Sequence, residues 1–430
     1  MRMKASFQII NIDPPIGMNM AGFSERDHGA EGFHDPLTAS VMVVDDGQKQ
    51  AAIVSLDVIA VDSWLSQQVG QLAYKACGID PANILISAIH THSSTSASRN
   101  RSLQHQINGQ TFSEAEDAYY IQLIHKLAGV ICYGVRHLEP ARIGYGVTQC
   151  EGLGTNRNDP AGYYDHDVVM LKAERENGEL IGLLVSHACH PTVLNHYNYQ
   201  YTADYVHYFR KTLSGAIGSS NVMFVQGCAG SASCRYTRHA SSFEEAERLA
   251  QPLAGAVIAA WKNMEMTDTI KIDSRWIDLR LPVKAFASEA EVQAQIDGYK
   301  AEMERLKQQG APESEIRRLY VTTQGAERNL NTLRRMTMTD ITSRIGVLSL
   351  GLCRFIGLPG DVFGEIGRDL RARKPERTAV FGYTYDFIGY VVSKEGFERD
   401  CYERNLSYFD ERAHDLILAQ FDAAMKGETL

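Results

Sequence analysis

Two histidines one residue apart, His90 and His92, stand where a short apolar run stops: Asn83-Ile-Leu-Ile-Ser-Ala-Ile-His-Thr-His-Ser93. Ile84, Leu85, Ile86, Ala88 and Ile89 read as a strand buried on both faces, and the Ser/Thr-rich stretch through Arg101 reads as the loop at its carboxyl end. Open α/β sheets place their ligands at that end. Side chains two apart on a strand share a face, so His90 and His92 would project into one crevice. Imidazoles placed there suit either a metal ion or a hydrogen-bonded pair at a strand end. A second strand pattern, Leu180 to Val185, also runs into histidines, in Ser186-His-Ala-Cys-His190-Pro-Thr192. Two such endings favour the metal, which draws its ligands from separate strand ends. Pro191 turns the chain out of the sheet directly after His190.

The elements that must position these histidines are those of a mixed α/β sheet protein. Phe7 to Ile12 alternates as a strand; Leu37 to Val44 and Ala51 to Val61 flank Asp45-Asp46-Gly47 as a β-hairpin. Ser63 to Cys77 and Ser113 to Leu138 carry apolar residues at helical spacing. Val168 to Leu171 and Leu180 to Val185 form a second hairpin, Asn221 to Gln226 a further strand, and Ser242 to Met264 a helix. Ile345 to Ile356 and Ala379 to Phe381 read as strands on either side of a helix from Val362 to Arg373. Asp57, a carboxylate inside an apolar run, needs a partner and reads as a hydrogen-bond hub for a neighbouring loop or as part of the site. Residues 286–337 are charged, helix-prone and poorly apolar; they read as a solvated helical hairpin inserted into a single domain spanning 1–430, projecting from the core and offering a contact for a homo-oligomer.

Composition narrows the function classes. A net charge of −9 excludes the basic surface that a nucleic-acid partner requires and gives no broad attraction to anionic membranes. No run approaches the apolar length of a membrane span, and no signal-peptide core precedes Asp13. The eight cysteines form no CxxC pair, which fits free thiols in a reducing compartment. A cytoplasmic protein is expected.

In this order, the segments Ile12-Asp-Pro-Pro-Ile-Gly, His34-Asp-Pro-Leu, Val54-Ser-Leu-Asp, Ile89-His-Thr-His-Ser, Thr155-Asn-Arg-Asn, His190-Pro-Thr, Phe224-Val-Gln-Gly, Leu358-Pro-Gly-Asp and Tyr390-Val-Val-Ser resemble the neutral/alkaline, non-lysosomal ceramidase family. The resemblance implies a catalytic zinc held by His90, His190, Asp361 and Tyr390. It implies amide-binding roles for His92, Arg157 and Tyr402, and aligns Ser233 with a serine implicated in catalysis. The sequence departs from the family in two places. Asp361 stands where glutamate is usual, so either Asp361 ligates or Glu365, one helical turn on, replaces it. The loop Gly230-Ser-Ala-Ser-Cys234 lacks the aspartate and proline of the family's serine loop, and a member without the family's C-terminal β-sandwich is expected.

The expected activity is therefore a zinc-dependent amidohydrolase that cleaves the amide of an N-acylated molecule, ceramide-like or another N-acyl amino alcohol or amino sugar, using metal-activated water. Two alternatives stand beside it. Ser233 could act as a nucleophile with a histidine base, or the chain could be a non-catalytic binding protein that keeps the fold.

Overall fold

The computed structural model describes residues 2–98, 103, 107, 111–373 and 377–426, so the end of the Ser/Thr-rich loop, residues 99–101, lies outside the described residues. Two five-stranded sheets pack face to face. The first has the order Ile84–Ala88, Gln50–Leu56, Thr38–Asp45, Lys4–Asn11 and Glu139–Pro140, with Ile84–Ala88 parallel to Gln50–Leu56 and the other pairs antiparallel. The second runs Val222–Gln226, Leu180–His187, Asp167–Glu174, Arg142–Gln149 and Met266–Thr267, with a parallel pair between Leu180–His187 and Val222–Gln226.

Strand alternation sorts the side chains between layers. Ala39, Val41 and Val43 face the helices Ser63–Cys77 and Glu114–Arg136, while Met42 and Val44 on the same strand face the second sheet. Val222 and Phe224 likewise face the helices Tyr205–Ile217 and Phe243–Ala260, and Met223 and Val225 turn inward. The result is a four-layer sandwich, helices outside and sheets inside. The sheets approach closely enough for the Ser55 hydroxyl to donate to the Phe224 carbonyl at 2.5 Å. A third, four-stranded sheet, ordered Asp273–Pro282, Asp340–Ser349, Arg354–Gly357 and Thr378–Phe381, closes one flank and contributes Phe355 and Phe381 to the inter-sheet core.

Local chemistry fixes the boundaries. Asp62 caps the helix Ser63–Cys77 by accepting from the Leu65 amide, and Gly78, left-handed at φ +81°, ends it. Ile345 to Ile356 is not one strand: the chain turns at Gly351, φ +81°, between Asp340–Ser349 and Arg354–Gly357. The helix expected from Val362 begins at Gly364, because Asp361–Val362 pairs as a short strand with Tyr390–Val391. Asp57 is the hydrogen-bond hub: its Oδ2 accepts from the Thr38 amide, the Thr38 hydroxyl and the Arg210 guanidinium. The charged segment forms helices Glu289–Gln308 and Glu313–Arg335, but it does not stand clear of the body. Gly325 seats against Tyr402 of the helix Tyr402–Leu406, and Gln324 donates to Glu25.

Among the described residues no helix is long and apolar enough to cross a membrane. The sheet packing makes a direct prediction. A Cβ at Gly182 would lie 2.2 Å from Phe7 Cδ2, deep between the sheets. Gly182→Ala should therefore cost roughly 1–3 kcal/mol through overpacking, read as a lowered thermal midpoint.

Candidate metal centre

His90 and His190 reach one point from two strand ends. His90 follows the strand Ile84–Ala88 and His190 follows Leu180–His187. Gln226, at the end of the strand between the two loops' supports, ties them together: its amide donates to the carbonyls of Ile89 and Cys189 at 2.9 and 2.8 Å and its oxygen accepts from the Cys189 amide. The residue before each histidine is thus fixed by one buried side chain.

Strand alternation does not align His90 with His92. The strand ends at Ala88, and His90 is left-handed at φ +67°. This turn, not a shared strand face, brings the two Nε2 atoms to 3.3 Å. His92 can sit so close to the neighbouring loop because residue 22 is glycine; a Cβ there would lie 2.5 Å from His92 Nδ1.

Hydrogen bonds set the tautomers. His90 Nδ1 donates to the Ile59 carbonyl at 2.7 Å, and His190 Nδ1 donates to the Ala229 carbonyl at 2.8 Å. A carbonyl only accepts, so each Nδ1 carries the proton and each Nε2 presents a lone pair. Those Nε2 atoms lie 3.6 and 3.4 Å from Asp361 Oδ2. Asp361 Oδ1 is occupied by the Tyr383 hydroxyl, whereas Oδ2 is buried with no hydrogen-bond partner. Three electron-rich atoms therefore converge, one of them an orphaned carboxylate oxygen. Ligands about 2.0–2.1 Å from a common ion at tetrahedral angles would be roughly 3.3–3.4 Å apart, so the spacing and donor set fit a small divalent cation. His90, His92 and His190 also form a cluster whose ligand atoms lie within 4.8 Å of one another.

Burial drives His90 down to about 3 against the opposing pull of Asp361, and it drives His92 well below its ordinary value. His90 and His92 are therefore neutral, as a metal-binding imidazole must be. Burial pushes the Asp361 carboxyl up, but His190, His90 and Arg157 outweigh it and hold the group below the usual carboxylate range.

The other candidate residues divide clearly. Tyr390 is the register partner of Asp361, and the Arg157 guanidinium stacks over its ring at 5.4 Å. Arg157 is buried, ion-paired to Glu403 at 2.7 Å, and its Nη1 lies 3.4 Å from His190 Nε2. Tyr402 is one ring further out, its centroid 6.0 Å from that of Tyr390. Glu365 lies apart from the imidazoles, lining a small cavity of about 110 Å³ with Tyr163 and Arg368, so the carboxylate beside the histidines is Asp361. Ser233 joins His190 only through a backbone bridge, and its hydroxyl accepts from the Arg235 amide at 3.2 Å. Among the described residues no hydrogen bond links that hydroxyl to an imidazole, which a serine nucleophile would require.

Three contributors carry no sequence signal of their own. Tyr383 is left-handed at φ +51°, stacks on His90 at 4.1 Å and donates to Asp361. Glu403 looks like any surface acid on a polar helix, and Gln226 like the polar end of a strand. Tyr383 lies in a tyrosine-rich stretch after Phe381, with Tyr385 and Tyr390 close behind it.

The model of a family described as neutral/alkaline non-lysosomal ceramidase, N-terminal, matches residues 12–269, more than half of the chain. That stretch holds His90, His92, Arg157, His190 and Ser233; Asp361, Tyr383, Tyr390 and Tyr402 lie beyond it. Among solved structures, the chain is similar to neutral ceramidase from Pseudomonas aeruginosa, with 18% identity and a TM-score of 0.75 over 98% of this chain and 74% of that one. It is also similar to a ceramidase complexed with C2, with 14% identity and a TM-score of 0.74 over 98% of this chain and 75% of that one. These likenesses establish a common fold.

Tyr383→Phe removes the hydroxyl that orients Asp361 and should weaken metal affinity roughly 10–100-fold, measured by chelator competition. Gln226→Leu should cost roughly 1–3 kcal/mol for each backbone group it leaves unpaired, and should release bound metal more readily. Both variants are scored by thermal melts with and without added metal, where unchanged metal affinity would contradict the assigned positioning roles.

Proposed function

Since the chain belongs to the neutral/alkaline non-lysosomal ceramidase family, we propose that it hydrolyses the amide bond of an N-acylated substrate at the centre formed by His90, His190 and Asp361, with zinc as the ion and Tyr390 completing the ligand set. The observation that carries this reading is the buried, unpartnered Asp361 Oδ2 facing two imidazole lone pairs. A bound zinc would supply Lewis acidity and a water whose pKa is lowered to about 7. In the net reaction the C–N bond breaks, the acyl carbon gains the hydroxyl of water and the nitrogen leaves with a proton.

The chain's own groups have distinct tasks. His90, His190 and Asp361 hold the ion, with Tyr383 fixing the carboxylate. His92, neutral and 3.3 Å from His90, is placed to take a proton from the attacking water and pass it to the departing amine. Arg157 is a fixed charge beside His190 that stabilises negative charge growing on the carbonyl oxygen; Glu403 keeps its guanidinium in place. Tyr402, edge-on to Tyr390 with ring centroids 6.0 Å apart, would contact the bound amide from the outer side. Ser233 shapes the backbone beside His190 and performs no proton transfer. The unpaired cysteines among the described residues fit a reducing compartment, in keeping with a cytoplasmic location.

The test is metal analysis of the purified chain, followed by hydrolysis of N-acyl amides with and without chelator. Stoichiometric zinc, loss of turnover on chelation and recovery with zinc are expected. His190→Ala should lose both metal and activity, and Arg157→Lys, which forfeits the rigid fork, should lower kcat roughly 10²-fold with metal retained. Turnover by metal-free protein would refute the proposal.

A further inference from the structure

The helices Ser63–Cys77 and Glu114–Arg136 lie side by side on the outer face of the first sheet. Near their N-termini the Tyr120 hydroxyl donates to Asp62 Oδ1 at 2.5 Å, and the Trp64 and Tyr120 rings stack with centroids 5.7 Å apart. Near their C-termini they are joined by sulfur, so the two helices run in the same direction. The Cys77 thiol donates to the Ala73 carbonyl at 3.1 Å, and the Cys132 thiol, from the other helix, donates to the same oxygen at 3.8 Å. Two sulfurs that share one carbonyl oxygen are neighbours, and these two thiols are in hydrogen-bonding contact with each other.

The two thiols differ in what can reach them. Cys77 alone among the eight cysteines is not buried; it ends its helix, and the left-handed Gly78 that follows gives the chain room to adjust. Cys132 is buried, and burial together with the adjacent Cys77 thiol pushes it up to about 12, so it rests protonated. Arg136 places a fixed positive charge at this end of the pair, its guanidinium donating to the Ala76 carbonyl at 3.2 Å. A partly exposed attacking thiol, a buried thiol beside it and a neighbouring cation together favour thiol–disulfide exchange. The other cysteines lack that combination: Cys150, Cys189 and Cys234 also share one core cluster, but all three are buried.

We propose that Cys77 and Cys132 form a dithiol site that a low-molecular-weight disulfide such as glutathione disulfide oxidises, closing a covalent brace between the two helices. Cys77, as its thiolate, attacks one sulfur of glutathione disulfide; that S–S bond breaks, one glutathione leaves as a thiolate and a mixed disulfide forms on Cys77. Cys132 then gives up its proton and attacks the Cys77 sulfur, which expels the second glutathione and leaves the Cys77–Cys132 disulfide. The two cysteines lose two electrons and two protons, and the two glutathiones gain them as thiols. Cross-linking residues this far apart in sequence restricts the unfolded chain, so the oxidised protein is the more stable form. The inference stands apart from the amide-hydrolase reading and needs no bound metal.

The test exposes the folded, reduced full chain to glutathione disulfide, quenches with acid and counts thiols in denaturant. The count is expected to fall by two from eight, the intact mass to drop by two hydrogens, and the peptide map to join Cys77 to Cys132. The thermal midpoint of the oxidised chain should rise by a few degrees and return on reduction. Cys132→Ala should hold one glutathione on Cys77, and Cys77→Ser should react about tenfold more slowly or less, because its remaining thiols are buried. Should either variant fail to fold, the bond mapped in the wild-type chain decides. Eight thiols surviving the exposure, a wild-type mixed disulfide on Cys77 that never resolves, or a bond mapped to any other cysteines overturns the site. An unchanged midpoint in the cross-linked chain overturns the brace.

Discussion

A single buried carboxylate oxygen governs this structure. An uncompensated anion away from water costs several kcal/mol, and a native fold keeps one only where something offsets it. Asp361 receives one hydroxyl, from Tyr383, and turns its other oxygen to two imidazoles whose protons are already committed to backbone carbonyls. Arg157 also favours that anion, but its guanidinium is shared with Glu403 at 2.7 Å. The remaining negative charge calls for a cation at the point where the imidazoles meet. Removing Tyr383, Glu403 or either carbonyl contact would disturb that balance without touching His90, His190 or Asp361 themselves.

The sandwich supplies what side chains alone could not, which is placement. Two parallel strand pairs, one in each sheet, end on the same side, and their loops are joined through Gln226. Backbone strain appears where the site needs it: His90 and Tyr383 both adopt left-handed conformations and stack on each other. Such residues persist where surrounding contacts over-determine them. Here the contacts are the Val58 and Ile59 carbonyls on His90 and the Gly360 carbonyl on the Tyr383 amide.

Much of this was legible because apolar periodicity and chemistry coincide. The runs ending at Ala88 and His187 announce buried strands, and the histidines that follow them announce a site. The helix Ser63–Cys77 was bounded by its own cap residues. Other parts were hidden for physical reasons. The helix Tyr205–Ile217 mixes aromatic and polar residues and starts at a strained Asp204, so no clear start signal separates it from the preceding loop. The strand Asp273–Pro282 is edge-like and half exposed, and its alternation is diluted by arginine and aspartate. Glu403 and Gln226 act through tertiary contacts with residues far away in sequence, which no local pattern encodes.

The helical hairpin shows how a weakly apolar segment can still hold a defined position. Its private core is small: Val292, Ile296, Ala326 and Leu330, with Tyr299 and Leu333 at the edge. Helices of this length in water draw most of their stability from packing an apolar face, and this pair has little to pack. Docking makes up the difference, through Gly325 against Tyr402, Tyr299 to Asp400 and Gln324 to Glu25. The contacts that order the hairpin are therefore the same ones that hold Tyr402 and the Glu25 loop in place. A substitution at any of these contacts changes how firmly the hairpin is held and where Tyr402 and the Glu25 loop stand, so the two are coupled through one set of side chains.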